Sequence, residues 1–426
     1  MPSPTTRAPT TKAQTPSESD LIYDWNAAGD GDLRPARGAV ELDDETLRDG
    51  LQSPSVRAPS IEQKLEILHH MAALGIESAD IGLPGAGPHV VADVERLARE
   101  IADQRLDIFP NCAARTVASD IQPVLDIAQK VGIPIEVSCF IGSSPIRQYA
   151  EGWDFDRMLR LTREAIELVV SHDLPAMYVT EDTTRARPED LRRLYTEAVE
   201  AGAQRVCIAD TVGHATPSGV RHLVQFIREV VGDEVKIDWH GHKDRGLSVV
   251  NSLIAGASGA DRLHGTAVGI GERVGNTPID LLLANMQLLG WIDRDLSSLP
   301  AYCRKVAETT GVPLPDNYPI SGKDAFRTGT GVHAAAIIKA RAKGDDWLAD
   351  RIYCSVPASL VGRRQRIEIG PMSGLSNVRF WLEEKGIDAN EELVQAIFAR
   401  AKSSTGTLTE VEILAVCRDR GVVPPT

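Results

Sequence analysis

The sequence has few cysteines and lacks long apolar runs. Its six cysteines are scattered along 426 residues, and none form a C-x-x-C pair. Cys139 and Cys207 lie inside apolar, strand-like runs, so we expect small buried side chains in a reducing, cytoplasmic compartment. No apolar run approaches the ~20 residues that a membrane-spanning helix needs. The composition therefore predicts a protein without a membrane partner.

Positive charge is scarce relative to negative charge. The chain has 46 Lys and Arg against 60 Asp and Glu, a net charge of −14. A nucleic-acid partner is not expected, because phosphate binding needs a basic face. The first twenty residues are rich in Pro, Thr and Ser and contain no apolar stretch, so they do not resemble a secretory signal. We expect residues 1–37 to form a disordered N-terminal tail.

What is present, from residue 38 to residue 300, is an alternation of short apolar runs with longer amphipathic ones. The predicted strands are Ala39–Leu42, Ser78–Leu83, Leu106–Phe109, Pro134–Phe140, Ala176–Val179, Arg205–Ile208, Val235–His240 and Arg262–Gly265. The predicted helices between them include Ile61–Leu74, Val90–Asp103, Phe155–Ser171, Pro188–Ala201, Ser218–Val231 and Leu247–Ala257. Eight such repeats predict an α/β fold, a (β/α)8 TIM barrel. A doubly wound sheet is the competitor, but no G-x-G-x-x-G follows the first strand.

Beyond residue 300 the alternation stops. Pro313, Pro315 and Pro319 mark a linker, and two small amphipathic helices are predicted at Glu391–Lys402 and Glu410–Arg418. We expect residues 301–426 to form a linker and a small, mainly helical C-terminal subdomain. Such a subdomain would cover the active site at the barrel mouth or mediate association.

The run His240-Gly241-His242 indicates a metal site. Residues two apart in a strand point to the same side, so the two imidazoles are presented together. Two imidazoles and one carboxylate commonly hold a divalent metal while leaving positions open for substrate. Asp49 is the candidate carboxylate, with Arg48 beside it as a fixed positive charge. The alternative is a polar strand end with one histidine satisfied by the backbone.

Other polar residues also follow predicted strands, at the end where a barrel carries its active site. They are Arg48 and Asp49 after the first strand, Glu181 and Asp182 after the fifth, Asp210 and Thr211 after the sixth, and His240 and His242 at the seventh. We expect these groups to converge on one rim of the barrel.

Several separated motifs, occurring in order, carry a family resemblance. They are Asp44-Glu45-Thr46-Leu47-Arg48-Asp49-Gly50-Leu51-Gln52, Glu181-Asp182-x-x-Arg185, Asp210-Thr211-Val212-Gly213, His240-Gly241-His242, Gly269-Ile270-Gly271-Glu272-Arg273, Gly331-Val332-His333 and Tyr353-x-x-x-Pro357 with Val361-Gly362-Arg363. Together they resemble the metal-dependent acyl-CoA-condensing enzymes of the 2-isopropylmalate, homocitrate and citramalate synthase group. That group shares its barrel with carbon–carbon lyases.

The resemblance implies a Claisen-type condensation of acetyl-CoA with a 2-oxo acid, followed by thioester hydrolysis. It also implies a divalent metal ion (Mn, Zn or Mg), a homodimer, and C-terminal segments that lie over the active site, often from the partner chain. The implied roles are metal ligation by Asp49, His240 and His242, charge stabilisation by Arg48, carboxylate binding by Thr211, acid/base chemistry by His333 and Tyr353, and a place in the catalytic pocket for Glu181.

The sequence departs from the family pattern at several positions. Lys243 replaces an Asn after the second histidine, and Val268 replaces an Asn that can ligate the metal in isopropylmalate and citramalate synthases. Phe326-Arg327-Thr328 replaces a more common Phe-Ala-His. The glycines Gly269, Gly271 and Gly275 form either a phosphate loop or a tight turn. The feedback domain of many isopropylmalate synthases is missing, so we expect no leucine-type feedback through it.

The substrate depends on where two arginines point. Gln52, Ser138, Arg115 and Arg147 are expected to bind the 2-oxo acid. An arginine that reaches the pocket favours a second substrate carboxylate, as in 2-oxoglutarate or oxaloacetate, whereas outward arginines favour a branched apolar acid such as 2-oxoisovalerate. Isopropylmalate synthase activity is slightly favoured over homocitrate or citramalate synthase activity with another 2-oxo acid. A lyase using the same metal site and a non-catalytic scaffold remain the alternatives.

Overall fold

The computed structural model describes residues 17–27 and 33–422. Eight parallel strands pair in sequence order, and the first pairs with the eighth to close a barrel. The strands are β1 Glu41–Asp44, β2 Ser78–Asp80, β3 Phe109–Arg115, β4 Glu136–Gly142, β5 Ala176–Glu181, β6 Arg205–Asp210, β7 Lys236–Gly241 and β8 Arg262–Gly265. The predicted (β/α)8 barrel is thus confirmed.

Helices surround this barrel and continue beyond it. They are α1 Glu18–Leu21, α2 Ile61–Ala73, α3 Pro88–Gln104, α4 Ala118–Val131, α5 Pro145–Glu151, α6 Phe155–Val170, α7 Pro188–Glu200, α8 Pro217–Val231, α9 Ser248–Ser258, α10 Ile279–Leu288, α11 Leu299–Thr310, α12 Gly331–Ala342, α13 Asp346–Arg351, α14 Leu375–Glu384, α15 Glu391–Lys402 and α16 Glu410–Asp419. No helix within the described ranges is long and apolar enough to cross a membrane. Of the expected N-terminal tail, residues 1–16 and 28–32 lie outside the described residues.

Helix α2 shows how local sequence sets the boundaries of these elements. The Ser60 hydroxyl accepts a hydrogen bond from the Gln63 amide at 3.3 Å, and the Gln63 side chain accepts one from the Ser60 amide at 2.9 Å. This reciprocal cap satisfies two amides that the first turn leaves unpaired. Leu68 and Met71 bury the apolar face, and Gly75 follows the helix in a left-handed conformation with φ 67°.

The third strand is the one that the sequence placed wrongly. It was expected at Leu106–Phe109 and lies at Phe109–Arg115. Its inward and outward positions carry Pro110, Asn111, Cys112 and two alanines, so no apolar alternation marks it. Small and polar residues are suited here because the strand borders a barrel interior that is itself polar.

Charged side chains fill the half of that interior that lies nearest the amino ends of the strands. Arg262 on β8 is 1% exposed. Its guanidinium donates to Asp238 at 2.6 Å and to Glu136 at 2.5 Å. Arg205 on β6 donates to the other oxygen of Asp238 at 2.7 Å. Removing one partner from a buried pair of this kind typically costs ~3–5 kcal/mol, because the other charge stays buried. The interior therefore stabilises one register of the strands.

The C-terminal part joins the barrel through α11. The expected barrel boundary at residue 300 falls inside this helix, and its residues Tyr302, Cys303 and Val306 belong to the main apolar core. Beyond it, α12–α16 enclose two smaller apolar clusters of their own. Strand β9 (Arg327–Thr328) precedes α12, and it pairs with β10 (Arg366–Ile367), which lies between α13 and α14, to form a two-stranded sheet.

Candidate active site

A cavity of about 260 Å³ opens at the carboxyl ends of the barrel strands. Most of the predicted site residues line it. They are Arg48, Asp49, Gln52, Ser138, Glu181, Thr211, His240 and His242. Eight positions from separate strands and loops therefore meet in one space, as the barrel geometry predicts.

The predicted metal ligands lie together at the base of this cavity. Oδ2 of Asp49 is 3.5 Å from Nε2 of His240 and 3.6 Å from Nε2 of His242. The two imidazole rings have centroids 5.0 Å apart. All three residues are buried, and their ligand atoms lie within 4.8 Å of one another. The strand alternation that presents both imidazoles to one side produces this cluster.

The chemistry of these groups fits a divalent cation. Oδ1 of Asp49 and Nδ1 of His242 are buried without a hydrogen-bond partner among the described residues. Burial, reinforced by the neighbouring charge of His240, lowers the pKa of His242. A neutral imidazole is the form that ligates metal. The trio is therefore a candidate metal site on the evidence of its own geometry.

Glu45 is the main residue that sequence reasoning did not assign. Its Oε2 lies 2.7 Å from Nδ1 of His240, and its Oε1 lies 3.0 Å from Nδ1 of His264. Burial opposes its charge, but the positive charges of His240, Arg48 and His264 together hold the pKa of Glu45 well below its ordinary value. The missed signal was alternation, because Glu45 lies two residues beyond Asp43 on the inward face of the first strand.

Arg48 also lines the cavity and is surrounded by carboxylates. Its guanidinium contacts Asp80 at 2.6 Å, Glu45 at 2.9 Å and Asp49 at 3.3 Å. Burial and the negative charges of Glu45 and Asp43 raise the pKa of Asp80 to about 7, despite the opposing charge of Arg48. Arg48 therefore forms a salt bridge with Asp49 and also lines the cavity.

Glu181 lines the cavity at the end of β5. Burial raises its pKa, against the opposing positive charges of Arg147 and Arg48. Glu181 makes no ion pair with the nearby Arg185, because Arg185 binds Asp182 with two hydrogen bonds of 2.7 Å. Arg147 lies at the rim beside Glu181, 3.6 Å from its Oε2, and its side chain is 43% exposed.

Two hydroxyls face the same space. Oγ1 of Thr211 accepts a hydrogen bond from the Asp182 amide at 2.8 Å. Its own proton therefore remains available for a substrate oxygen. Ser138 donates to the amide oxygen of Asn111 at 3.3 Å, and Gln52 completes this side of the wall.

Three other predicted site residues lie away from the cavity. Arg115 points outwards with its side chain 63% exposed and binds both oxygens of Asp120 at 2.6 and 2.8 Å. His333 and Tyr353 stack on each other with ring centroids 4.0 Å apart. Both are exposed, and neither lines the cavity within the described chain.

The glycine-rich segment after β8 forms a tight turn. A Cβ on Gly275 would lie 1.9 Å from the carbonyl oxygen of Gly269, so only glycine fits. Nζ of Lys243 lies 3.4 Å from the Val268 carbonyl oxygen. Two of the residues that depart from the family pattern are therefore in contact here. Val268 has φ 49°, a conformation that is strained for a β-branched residue. Glu272, in the same turn, reaches the cavity.

Comparison with known proteins agrees with this geometry. Residues 39–305 match the family model described as HMGL-like. The chain is 35% identical over 381 residues to homocitrate synthase AksA of Methanopyrus kandleri, covering 87% of this chain and 90% of that one. It is 30% identical over 367 residues to 2-isopropylmalate synthase of Sulfolobus acidocaldarius, covering 85% and 90%.

Among solved structures, the HMG-CoA lyase of Bacillus subtilis shares the fold. The two superpose with a TM-score of 0.56 at 18% identity, covering 66% of this chain and 97% of that one. The chain belongs to the HMGL-like family, and it is an acyl-transferring enzyme of the group that includes the homocitrate, citramalate and 2-isopropylmalate synthases.

Proposed function

We propose that this enzyme condenses acetyl-CoA with a 2-oxo acid whose side chain is apolar and branched, in the manner of a 2-isopropylmalate synthase. The methyl carbon of acetyl-CoA loses a proton and bonds to the ketone carbon of the 2-oxo acid. Hydrolysis of the thioester then releases free CoA and a 2-hydroxy dicarboxylic acid. The bond formed, the proton removed and the thiol released each give a measurable change.

The wall of the cavity carries the argument for an apolar substrate. Leu83, Ala113, Phe140, Met177 and Val179 line one side of it. Among the described lining residues the basic side chains other than histidine are both arginines, and each is already ion-paired. A second substrate carboxylate would find no uncommitted cation there, and burying it unpaired is costly.

The metal-ligand set supports the same chemistry. We assign Asp49, His240 and His242 to a divalent ion, with Mn, Zn and Mg all compatible with this set. When bound, such an ion supplies Lewis-acid polarisation of a ketone oxygen.

The surrounding side chains supply binding and proton handling. The Thr211 hydroxyl is free to donate to the carboxylate of the 2-oxo acid. Arg48 presents a fixed charge to oxygen that becomes negative during the reaction. Glu181, with its raised pKa, is suited to exchange a proton nearer neutral pH than an exposed carboxyl group.

The C-terminal part supports synthesis over cleavage. The matches to the named synthases extend over 85–87% of the chain, whereas the lyase structures cover 64–66% of it. We further propose that His333 and Tyr353 act in the cavity of the partner chain in a homodimer, in the cytoplasm. Their exposed, stacked rings are available for such a contact.

The test is release of free thiol from acetyl-CoA with each of five acids: 2-oxoisovalerate, pyruvate, 2-oxoglutarate, oxaloacetate and glyoxylate. We expect metal-dependent release with 2-oxoisovalerate and loss of release after chelation. Preferred use of 2-oxoglutarate would contradict the apolar assignment and direct attention to Arg147 at the rim. If no thiol were released with any of the five acids, acetyl-CoA condensation would be rejected and the lyase direction would remain to be tested.

A further inference from the structure

A second cleft lies between the barrel and the C-terminal subdomain. Helix α11 contributes Pro300 and Arg304 to one wall, and residues 361–368 contribute to the other. The cleft encloses about 570 Å³, and its described lining residues include none of those that line the catalytic cavity. It is therefore a separate candidate site.

Three arginines in this cleft lack a carboxylate partner. Arg304 and Arg366 make no ion pair and no side-chain hydrogen bond within the described part of the chain. Arg363 donates to the carbonyl oxygens of Ile320 at 2.6 Å and Gly322 at 2.9 Å, which leaves its charge unneutralised. Three such guanidinium groups in one cleft are unexpected in a protein of net charge −14.

The positive charges of these three arginines repel one another. The pKa of Arg363 is lowered by burial and by the positive charges of Arg366 and Arg304. For Arg48 and Arg262 in the barrel, neighbouring carboxylates outweigh burial and raise the pKa. Like charges held together disfavour the charged state unless an anion lies between them.

Carboxylates in the same cleft do not relieve this repulsion. Glu368 pairs with Arg327 at 2.7 Å, and Asp316 lies 3.9 Å from Lys323. The acidic groups of the cleft are thus matched to other cations. Arg304 and Arg366 are exposed to solvent, so an anion from solution can reach them and neutralise the cluster.

We propose that this cleft binds a phosphate-bearing anion through Arg304, Arg363 and Arg366. Guanidinium groups match phosphate oxygens in paired hydrogen bonds, and three of them in one cleft suit a multiply charged oxyanion better than a halide or a single carboxylate. The phosphate groups belong either to CoA or to a free nucleotide or pyrophosphate. Because one wall is barrel and the other is subdomain, the ligand connects the two parts.

The test is calorimetric titration of the full-length protein with pyrophosphate, ATP, CoA and dephospho-CoA, without any 2-oxo acid. The variant carries Arg304→Gln and Arg366→Gln, and the control carries Arg160→Gln, an exposed arginine on α6 with no ion pair among the described residues. We expect the variant to bind at least tenfold more weakly and the control to bind like the wild type. Binding of pyrophosphate and ATP identifies a free phosphate compound as ligand. Binding of CoA alone, weakened in dephospho-CoA, identifies the CoA phosphates.

Two results would overturn the proposal: no binding of any probe at millimolar concentration, or equal binding by variant and wild type. Neither arginine has an intramolecular partner, so the apparent melting temperature of the variant without ligand should not fall. Arg366→Gln alone provides a milder variant if the double change impairs folding. The titration needs no turnover, so its failure is distinguishable from failure of the proposed condensation.

Discussion

Oε2 of Glu45 lies 2.7 Å from Nδ1 of His240, the first histidine of the H-x-H pair. The other Glu45 oxygen contacts His264, and Nε2 of His264 lies 2.8 Å from Asp238. A continuous chain of charged groups therefore runs from the barrel interior to the metal-ligand cluster. The His240 ring lies with Nδ1 towards Glu45 and Nε2 towards Asp49. Carboxylates that orient metal-bound imidazoles in this way strengthen metal binding.

The first prediction concerns Glu45. Glu45→Gln should weaken metal affinity by ~10–100-fold, because the neutral amide no longer orients His240 or raises its basicity. Competition with a chromophoric chelator for Zn or Mn measures the affinity directly. Glu164→Gln, at an exposed position on α6, is the matched control and should leave affinity unchanged. Wild-type affinity in Glu45→Gln would show that Glu45 only packs against the ring.

A second prediction separates the two interpretations of Arg48. Arg48→Lys keeps the charge among the three carboxylates but loses the planar fork of donors. If Arg48 stabilises developing negative charge, kcat should fall by ~10²–10³-fold, the usual cost of losing such a donor. KM and metal affinity should change far less. A kcat within a few-fold of wild type would mean that Arg48 serves only to hold the rim carboxylates together.

The sequence predicted the barrel and the common direction of His240 and His242 because both depend on short-range periodicity. β8 was placed at its observed bounds, Arg262–Gly265, and His240 and His242 point to one side because strand residues alternate. The same alternation holds for Glu45, but its role depends on contacts with His240 and His264, about two hundred residues away in the sequence. No local pattern encodes that pairing.

The direction of the arginines could not be predicted for a similar reason. Arg115 ends β3, and its guanidinium is held by Asp120 in the first turn of α4. Arg147 lies in the first turn of α5 and remains at the rim, near Glu181. Whether each side chain turns inward depends on the loop geometry and on the carboxylate that captures it. Sequence spacing alone left both outcomes open.

The third prediction concerns stability. The Tyr302 hydroxyl on α11 donates to Oδ2 of Asp44 at 2.5 Å and lies 3.1 Å from the Thr46 hydroxyl. Tyr302→Phe should lower the free energy of unfolding by ~1–3 kcal/mol, because a buried acceptor loses its partner. Urea denaturation measures the change, with Tyr149→Phe as control. Tyr149 is 91% exposed, and its replacement should change stability by less than ~0.5 kcal/mol.

A fourth prediction concerns pH. Burial opposes protonation of His264, but the negative charges of Asp43 and Glu45 and the hydrogen bond that the ring donates to Asp238 raise its pKa to about 10. Since the folded value exceeds the unfolded value of ~6.5, the stabilisation is fully present below pH ~6.5 and is lost as pH rises towards 10.

Chelator-treated wild-type protein should therefore lose more stability between pH 6.5 and 10 than His264→Gln, which has no titrating ring at this position. Urea unfolding at a series of pH values gives both curves, and the difference between them isolates His264 from other titrating groups. Parallel curves would contradict a raised pKa in the folded state.

The last prediction concerns the exposed pair His333 and Tyr353. If His333 enters the cavity of a partner chain, His333→Ala and Asp49→Asn subunits should each be nearly inactive alone and should regain activity when co-expressed. A mixed dimer then holds one complete site, with Asp49 from one chain and His333 from the other. For random pairing of equal amounts, thiol release should reach about a quarter of the wild-type value. Separate affinity tags on the two variants isolate the mixed dimer, in which half of the sites are complete. Failure of the purified mixed dimer to recover activity would mean that each chain completes its own cavity, which requires the C-terminal subdomain to move.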